Sequence, residues 1–528
     1  MKQKPQRYRK RGKTWALSMS INLVFLALML ALFYPRYSNT ADAIMQNLLY
    51  GTLPGLRMSH LIFSNVILGK IVSVLLQLFP YGAWYTLVQY FFVLLALTAI
   101  GYVILCRAPG STGKVVLVLV LSFLAYESYV TLSYIRTACL LTSSGTLLIG
   151  HSLYEGKNAW LNKVLAVFLL LVGSLYSFKA FLWTFLIGMV LFVVYTLHRS
   201  RKLKFGELAV WVGVVIALTT ALYCVDYLSC KNHPDQFQQA LEYRDDYEML
   251  FFRGTVQDYG KYVNVRGTNN ARQVYAISQG VFLNGSKMAL EAIEDTARQT
   301  REFSIETIRT FFRTIPLRLF SAGNFYLLVG MLVLLLAFSG ERGRILASAL
   351  TVVLVGAFLI YYIYANDSGD AYFMLFIPIS IQLLLYIGNL SEMDWKAAAT
   401  FLVLFFVILY SGFSGSLYTG VRKDEMFINT GVAKNGPTSL IDLDSYCKSF
   451  SAFTRYPSNL VPDSVYVVNG FYPSMTEYSQ EEYRYRAWIG TKWIYKPNNY
   501  EIKDLPNYAP PRQADYNTFK DSKYDRVR

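Results

Sequence analysis

An aspartate lies shortly after the first long apolar stretch of the chain. Residues 15–33 are almost entirely apolar, and Asp42 follows in the segment YSNTADAIMQNLLY. A carboxylate at this position can face both a membrane surface and water, and an ionised carboxylate can remove a proton from an attacking hydroxyl group. Asn39 offers a second interpretation, because Asn39 and Asp42 together form an approximate capping box at the start of a helix. The sequence leaves both interpretations open.

Four basic residues and one further acid lie near the predicted ends of apolar stretches. Arginine binds phosphate-like groups with two parallel hydrogen bonds, and lysine binds them as a point charge. Lysine and arginine side chains near helix ends also snorkel to the membrane surface, and Asp370 lies in the turn-forming segment YANDSGDAY, so each residue has an ordinary structural alternative. The candidate substrate-contacting residues are Arg57, Lys70, Arg136, Lys179 and Asp370.

The composition is typical of a membrane protein. Of the 528 residues, 54% are hydrophobic and 16% are charged, and the apolar residues form long blocks. The net charge of +16 arises from basic residues beside these blocks, without one continuous basic stripe. The expected charged partner is therefore the lipid bilayer and not a nucleic acid.

Known nucleotide and metal motifs are missing from the sequence. It contains no phosphate-binding glycine loop, nucleophile elbow, HExxH motif or dinucleotide fingerprint. The five cysteines lack CxxC spacing, so no structural zinc is predicted. Cys224 and Cys230 flank one predicted membrane exit, where either a disulfide or two free thiols would fit.

About eleven apolar blocks are long enough, or nearly so, to cross a membrane and to position the candidate residues. Lysine and arginine beside alternate block ends predict a cytoplasmic N-terminus and an extracytoplasmic C-terminus in the cell membrane. No small-residue cleavage site follows Leu32, so the first block is predicted to be an uncleaved anchor. The blocks lie at 15–33, 82–105, 115–133, 138–153, 163–177, 180–198, 208–228, 325–338, 344–364, 372–388 and 397–413.

This topology predicts an all-α polytopic membrane protein in three parts. Residues 1–14 form a basic cytoplasmic N-terminus, residues 15–420 form the transmembrane domain, and residues 421–528 form a small α+β extracytoplasmic domain containing a strand near 464–470. The predicted outer loops span 34–81 and 229–316. Residues 61–79 are apolar, but Asn65, Lys70 and Gln77 interrupt them, so the prediction is an interfacial helix and not a further span.

The segment Tyr37 to Tyr85 combines Asp42, a glycine-containing turn, an SHLIFSN helix and an FP…WY entry to the next span. With these features the chain resembles the GT-C-fold glycosyltransferases that use polyprenyl-phosphate sugars. It is most similar to uncharacterised polytopic proteins of Gram-positive bacteria associated with surface polysaccharide. The resemblance covers the first half of the chain by motif, and the remainder by topology.

The resemblance implies an inverting transfer of a sugar from a polyprenyl-phosphate carrier to a cell-surface glycan at the outer membrane face. In that reaction Asp42 is the expected general base, and the four basic residues and Asp370 are the expected substrate contacts. The commoner family pattern places a second acid beside the first, whereas Ala41 and Ala43 flank Asp42 here. A lone carboxylate binds a divalent cation weakly, so a metal cofactor is not supported.

Two other hypotheses fit a chain with many spans. A flippase or transporter for lipid-linked saccharides would also contain buried basic residues, although its site is expected near the middle of the bilayer. A non-catalytic scaffold could have kept a GT-C-like fold without the activity.

Overall fold

The computed structural model describes the helical part of the chain and short pieces of its C-terminal region. Arg57, the loop 245–322 and the predicted span 397–413 lie outside the described residues. The described ranges are 11–33, 35–50, 58–80, 82–108, 110–155, 159–198, 205–232, 323–338, 353–357 and 369–389, with short pieces at 241, 244, 350–351, 439–442, 452–453, 465–468 and 492–493.

The described part is predominantly α-helical, as expected for an all-α membrane protein. The helices are α1 (Arg11–Leu32), α2 (Thr40–Tyr50), α3 (Val66–Leu78), α4 (Trp84–Arg107), α5 (Gly110–Tyr129), α6 (Tyr134–Glu155), α7 (Trp160–Tyr176), α8 (Phe178–His198), α9 (Phe205–Lys231), α10 (Gly323–Phe338) and α11 (Gly369–Leu383), which continues into the 3₁₀ turn Leu384–Asn389. Six of these are long and apolar enough to cross a membrane: α1, α4, α5, α8, α9, and α11 together with its 3₁₀ turn.

Helices α4 to α9 run up and down the bundle, joined by short connections. The end of the bundle at which α1 ends and α4 begins is called the site end below. Two residues after α5, strand β2 (Thr131–Leu132) pairs in parallel with β1 (Arg36–Tyr37), which follows α1. This pairing fixes the end of α5 and the start of α6 at the site end.

Helix α3 begins and ends at the site end. Its N-cap Asn65 donates its backbone N–H to the carbonyl of Leu175, near the end of α7. Just beyond its C-terminus, the indole of Trp84, the first residue of α4, donates to the carbonyl of Phe79. At 1.5 Å per residue α3 is about 20 Å long, which is less than the roughly 30 Å of a hydrocarbon core. The helix therefore does not cross the bundle.

Helix α6 is the central helix of the bundle, and it is unusually polar. It packs against α4, α7, α8 and α11, and nearly every side chain from Tyr134 to Ser152 is buried. The hydroxyls of Thr142, Ser144 and Thr146 donate to carbonyls in the preceding turn of the same helix. Because α6 is surrounded by protein, its polar side chains do not need to face hydrocarbon.

Glycines allow α7 to approach α6 closely. A Cβ on Gly145 would lie 2.9 Å from the carbonyl oxygen of Ala166, and a Cβ on Gly173 would lie 2.6 Å from the hydroxyl of Thr142. Such distances are too short for any larger residue, so these glycines set the separation of the two helices.

Three short strands of the C-terminal region form a parallel sheet. Strand β3 (Ser439–Asp442) pairs with β4 (Val465–Val468) on one side and with β5 (Lys492–Trp493) on the other. Strand β4 lies within the predicted strand near 464–470.

The structure decides between the two alternatives for Cys224 and Cys230. Cys224 is exposed, Cys230 is buried, and neither forms a disulfide. Of the two alternatives left open by their spacing, the structure therefore has the free thiols.

Candidate functional site

The β1–β2 pair brings the start of α2 beside the start of α6. The backbone N–H of Arg36 donates to the carbonyl of Val130 at 2.8 Å, and that of Ser38 donates to Leu132 at 2.7 Å. Both strands are followed within three residues by a helix N-terminus. Residues in the first turns of α2 and α6 therefore meet at the site end.

Asp42, in the first turn of α2, is fully buried, and both of its carboxylate oxygens accept hydrogen bonds. The phenol of Tyr85 donates to Oδ1 at 2.8 Å. The backbone N–H of Tyr134 donates to Oδ2 at 3.0 Å. The carboxylate is therefore held between the start of α4 and the start of α6.

Asn39 forms the N-cap of α2. Its side-chain oxygen accepts a hydrogen bond from the backbone N–H of Asp42 at 3.2 Å, as in half of a capping box. The carboxylate of Asp42 binds Tyr85 and Tyr134, as described above. Both sequence interpretations thus apply, since Asp42 lies in a capped first turn and its carboxylate lies in a buried polar site.

Burial raises the pKa of Asp42 from its ordinary value of 3.8 to about 8. The hydrogen bonds from Tyr134 and Tyr85 act in the opposite direction, because they favour the charged form. The negative charge of Asp370 raises the pKa further, and the positive charge of Arg136 lowers it. At neutral pH the carboxyl group is therefore largely protonated in this enclosed state.

Arg136 and Asp370 form an ion pair beside Asp42. The Nε of Arg136 lies 2.6 Å from Oδ1 of Asp370, and each side chain is 13% exposed. Asp370 also accepts hydrogen bonds from the Asn39 amide and the Ser133 hydroxyl, both at 3.2 Å on Oδ2. Arg136 donates to the hydroxyl of Thr131 at 2.9 Å. The pair thus joins α6 to α11, and Asn39 connects it to α2.

Glu127, near the end of α5, is an acid of this site that the sequence analysis missed. It is hydrogen-bonded to Asn324 of α10 and attracted electrostatically to Arg136. Arg136 therefore interacts with carboxylates of two helices, α5 and α11. The available signal was a glutamate inside the apolar block 115–133, where an ionisable residue is a candidate by default.

The structure brings three of the six sequence candidates into one cluster, here called the Asp42 cluster, of Asp42, Arg136 and Asp370. Lys70 is exposed on α3, and Lys179 is exposed in the first turn of α8. Neither lysine belongs to the hydrogen-bonded cluster as described above. Arg57 lies outside the described residues.

A second acid has a capping role. Oδ1 of Asp226, near the end of α9, accepts a hydrogen bond from the backbone N–H of Val66 at 2.6 Å. The N-cap Asn65 accepts from Ile67 at 2.9 Å and donates to the carbonyl of Leu222 at 3.0 Å. These contacts attach the N-terminus of α3 to the end of α9, so α3 is held across the site end.

Arg107, at the opposite end of the bundle, has structural partners. It donates to the hydroxyl of Tyr195 at 2.8 Å and to the carbonyl of Leu385 at 2.7 Å. Its Nε donates to Nδ1 of His151 at 3.2 Å. Arg107 thus joins α4 to α6, α8 and the 3₁₀ turn.

Within the described residues, no group of three histidine, cysteine, aspartate or glutamate side chains is arranged to hold a metal ion. No family model, curated protein or solved structure matches the chain.

Proposed function

We propose that the protein is a membrane glycosyltransferase of the GT-C type. It would transfer a sugar from a polyprenyl-phosphate carrier to a cell-surface glycan at the outer face of the cell membrane, with its N-terminus in the cytoplasm. The observation that carries this proposal is the Asp42 cluster at one end of an apolar helical bundle. The cluster combines a carboxylate whose pKa is raised toward the working pH with a partly exposed arginine.

The neighbouring helix α3 supports a lipid-linked substrate. Both of its ends lie at the site end, and it exposes large apolar side chains: Ile71, Val74 and Leu78. An apolar helix face parallel to the membrane surface can bury itself among lipid chains. A polyprenyl carrier in the outer leaflet would therefore approach the Asp42 cluster alongside α3, where Lys70 is exposed.

The proposed reaction assigns one role to each charged group. The acceptor hydroxyl attacks the anomeric carbon of the donor sugar, and the bond from that carbon to the carrier phosphate breaks. When the site opens, water reaches Asp42 and lowers its pKa, so that the carboxyl group ionises. The ionised Asp42 then takes the hydroxyl proton, and Arg136 stabilises the negative charge of the departing phosphate. Asp370 keeps the guanidinium of Arg136 in place through their 2.6 Å contact.

A non-catalytic scaffold is the second candidate, because one observation favours it. Asp42 is fully buried, and both of its oxygens are already hydrogen-bonded within the protein. A carboxylate satisfied in this way can serve to hold α2, α4 and α6 together. The transferase proposal therefore requires that the site opens when substrate binds.

Transfer in proteoliposomes separates the two candidates. Radiolabelled polyprenyl-phosphate sugars would be supplied to wild type and to the Asp42→Asn, Arg136→Lys and Glu207→Gln variants. Asp42→Asn should reduce transfer by roughly a hundredfold or more, because general-base catalysis typically contributes that much. Arg136→Lys should reduce it less, because lysine keeps the charge but loses the paired geometry.

Glu207→Gln is the matched control, because it also replaces a carboxylate by an amide. In the wild type Glu207 pairs with Lys163 at the opposite end of the bundle. It should retain transfer. Full activity of Asp42→Asn would remove Asp42 from the mechanism. If wild type transfers none of the donors to any acceptor glycan, the scaffold becomes the better proposal.

A further inference from the structure

A short piece of the C-terminal region is seated at the site end of the bundle. The backbone N–H of Ala452 donates to the carbonyl of Pro35 at 2.7 Å, and its carbonyl accepts from the hydroxyl of Thr86 at 2.6 Å. Ala452 is 1% exposed. Both backbone polar groups of this residue are therefore paired with the bundle, across more than 360 residues of chain to Thr86.

Phe453 completes an aromatic column beside these hydrogen bonds. Its ring stacks on Tyr90 with centroids 5.2 Å apart, and Tyr90 stacks on Tyr129 at 5.9 Å. The hydroxyl of Tyr90 also donates to the backbone carbonyl of Tyr129. The residue pair 452–453 is thus held by two backbone hydrogen bonds and one ring stack.

The partners of Ala452 lie directly beside the residues that enclose Asp42. The hydroxyl of Thr86 is 2.8 Å from that of Tyr37 in β1, and the residue before Thr86 is Tyr85, which donates to Asp42. Pro35 immediately precedes β1, which pairs with β2 near the start of α6. The 452–453 pair therefore contacts the residue that leads into β1 and the start of α4, and both of these elements lie beside Asp42.

A base in this site must come within about 3 Å of an acceptor hydroxyl, yet Asp42 is fully buried. At least one of the segments packed around Asp42 therefore has to move. Helices α4 and α6 are long and tightly packed against each other. The β1–β2 ladder has only two residues in each strand, and residues 452–453 lie in a turn and not in a helix of the bundle. A short ladder and a turn can move without separating two long packed helices, so their opening has the lower free-energy cost.

We propose that residues 452–453 form a latch that keeps Asp42 enclosed while it is seated, and that its release opens the site to the acceptor. The acceptor part of this inference rests on the proposed function, whereas the enclosure of Asp42 does not. Residues 452–453 would thus control access to the site through their contacts with Pro35 and α4.

Carboxyl footprinting tests the latch without any substrate. The full-length protein would be treated with a water-soluble carbodiimide and glycine ethyl ester, and modification of Asp42 would be followed by mass spectrometry, with Asp226 as the internal reference. Phe453→Ala removes the ring stack, and Thr86→Val removes the hydroxyl that Ala452 accepts from while keeping the side-chain shape. Because the Thr86 hydroxyl also contacts that of Tyr37, Tyr37→Phe is needed as the control for Thr86→Val. Phe453→Ala and Thr86→Val should each increase the modification rate of Asp42 by about tenfold relative to wild type, whereas Tyr37→Phe should not.

Phe178→Ala is the matched control, because it also removes a ring contact: Phe178 of α8 meets Tyr223 of α9 in a tilted arrangement with centroids 5.0 Å apart. Its Asp42 should be modified as slowly as that of wild type. If Phe453→Ala does not fold, as judged by size-exclusion chromatography, Thr86→Val decides the question. If Asp42 in the folded latch variants is modified at the same rate as in the wild type, the latch proposal is wrong.

The footprinting and transfer assays fail independently. Faster modification of Asp42 in a latch variant, together with a wild type that transfers no sugar, would keep the latch and remove the proposed function. Transfer by wild type with no change in footprinting would keep the function and remove the latch.

Discussion

Replacing Asp42 with asparagine should stabilise the protein at alkaline pH even if it abolishes transfer. The carboxyl group is fully buried between Tyr85 and Tyr134. Asparagine has nearly the same shape and no charge. Its side-chain oxygen can accept from the backbone N–H of Tyr134, and its amide can donate to the Tyr85 hydroxyl, which is able to reverse its role.

The pKa shift of Asp42 sets the sign and the size of the effect. Its pKa in the folded protein is about 8, against an ordinary value of 3.8, so the folded state holds the proton more tightly than the unfolded state. The stability that protonated Asp42 contributes is therefore complete at acid pH, and it is lost as the pH rises toward the pKa of the folded state. Between about pH 5 and pH 8.5 the free energy of unfolding of the wild type should fall by at most about 4 kcal/mol for this reason.

Asparagine cannot lose a proton, so the melting temperature of Asp42→Asn should rise relative to wild type as the pH increases. Thermal unfolding in detergent at about pH 5 and about pH 8.5 measures this difference, which should reach several degrees at the higher pH. Glu207→Gln at the opposite end should gain no such advantage. If the melting temperature of Asp42→Asn minus that of wild type stays constant or falls as the pH increases, this carboxyl group does not have a raised pKa.

Three other predictions concern two acidic residues of the site end and the topology of the chain. Asp370→Asn should destabilise the protein by about 1–3 kcal/mol in chemical denaturation, because it leaves Arg136 without its main partner, and unchanged stability would show that the pair contributes nothing. Asp226→Asn should cost about 1 kcal/mol by weakening the capping of α3, and faster amide exchange confined to the first turn of α3 would distinguish this local effect from general destabilisation. Cysteines introduced at Ser111 and Ser474 should react with an impermeant maleimide from opposite sides of the membrane, and labelling of both from one side would overturn the predicted topology.

Local information in the sequence was sufficient to predict most of the helices. The predicted block 82–105 corresponds to α4, and 180–198 corresponds to α8, because the length of an apolar run depends on neighbouring residues alone. The polar interruptions in 61–79 also indicated an interfacial helix, and both ends of α3 lie at the same end of the bundle. Residues 138–153 were predicted as a span and lie in α6, which is long enough to cross a membrane but, because of its polar residues, is not among the six helices that are also apolar enough.

The arrangement of the site depends on distant contacts, which one sequence does not contain. Charges near predicted helix ends indicated which residues share one side of the bundle, but they could not separate Arg136, inside the cluster, from the exposed Lys179. Glu127 was missed because the apolar residues around it made the block resemble an ordinary span. The hydrogen bond between Thr86 and Ala452 joins segments more than 360 residues apart, and no local sequence pattern predicts such a contact.

Asn39 explains how a structural and a chemical role can coexist at Asp42. A capping residue needs only an oxygen that accepts from the first turn of its helix, and serine or aspartate would serve equally well. An amide also has a nitrogen, and that of Asn39 donates to Asp370 at 3.2 Å while its oxygen accepts from the backbone of Asp42 at 3.2 Å. The same side chain thus begins α2 and ties it to the Asp370–Arg136 pair, so any movement of α2 that exposes Asp42 would also disturb the charge pair proposed to meet the phosphate.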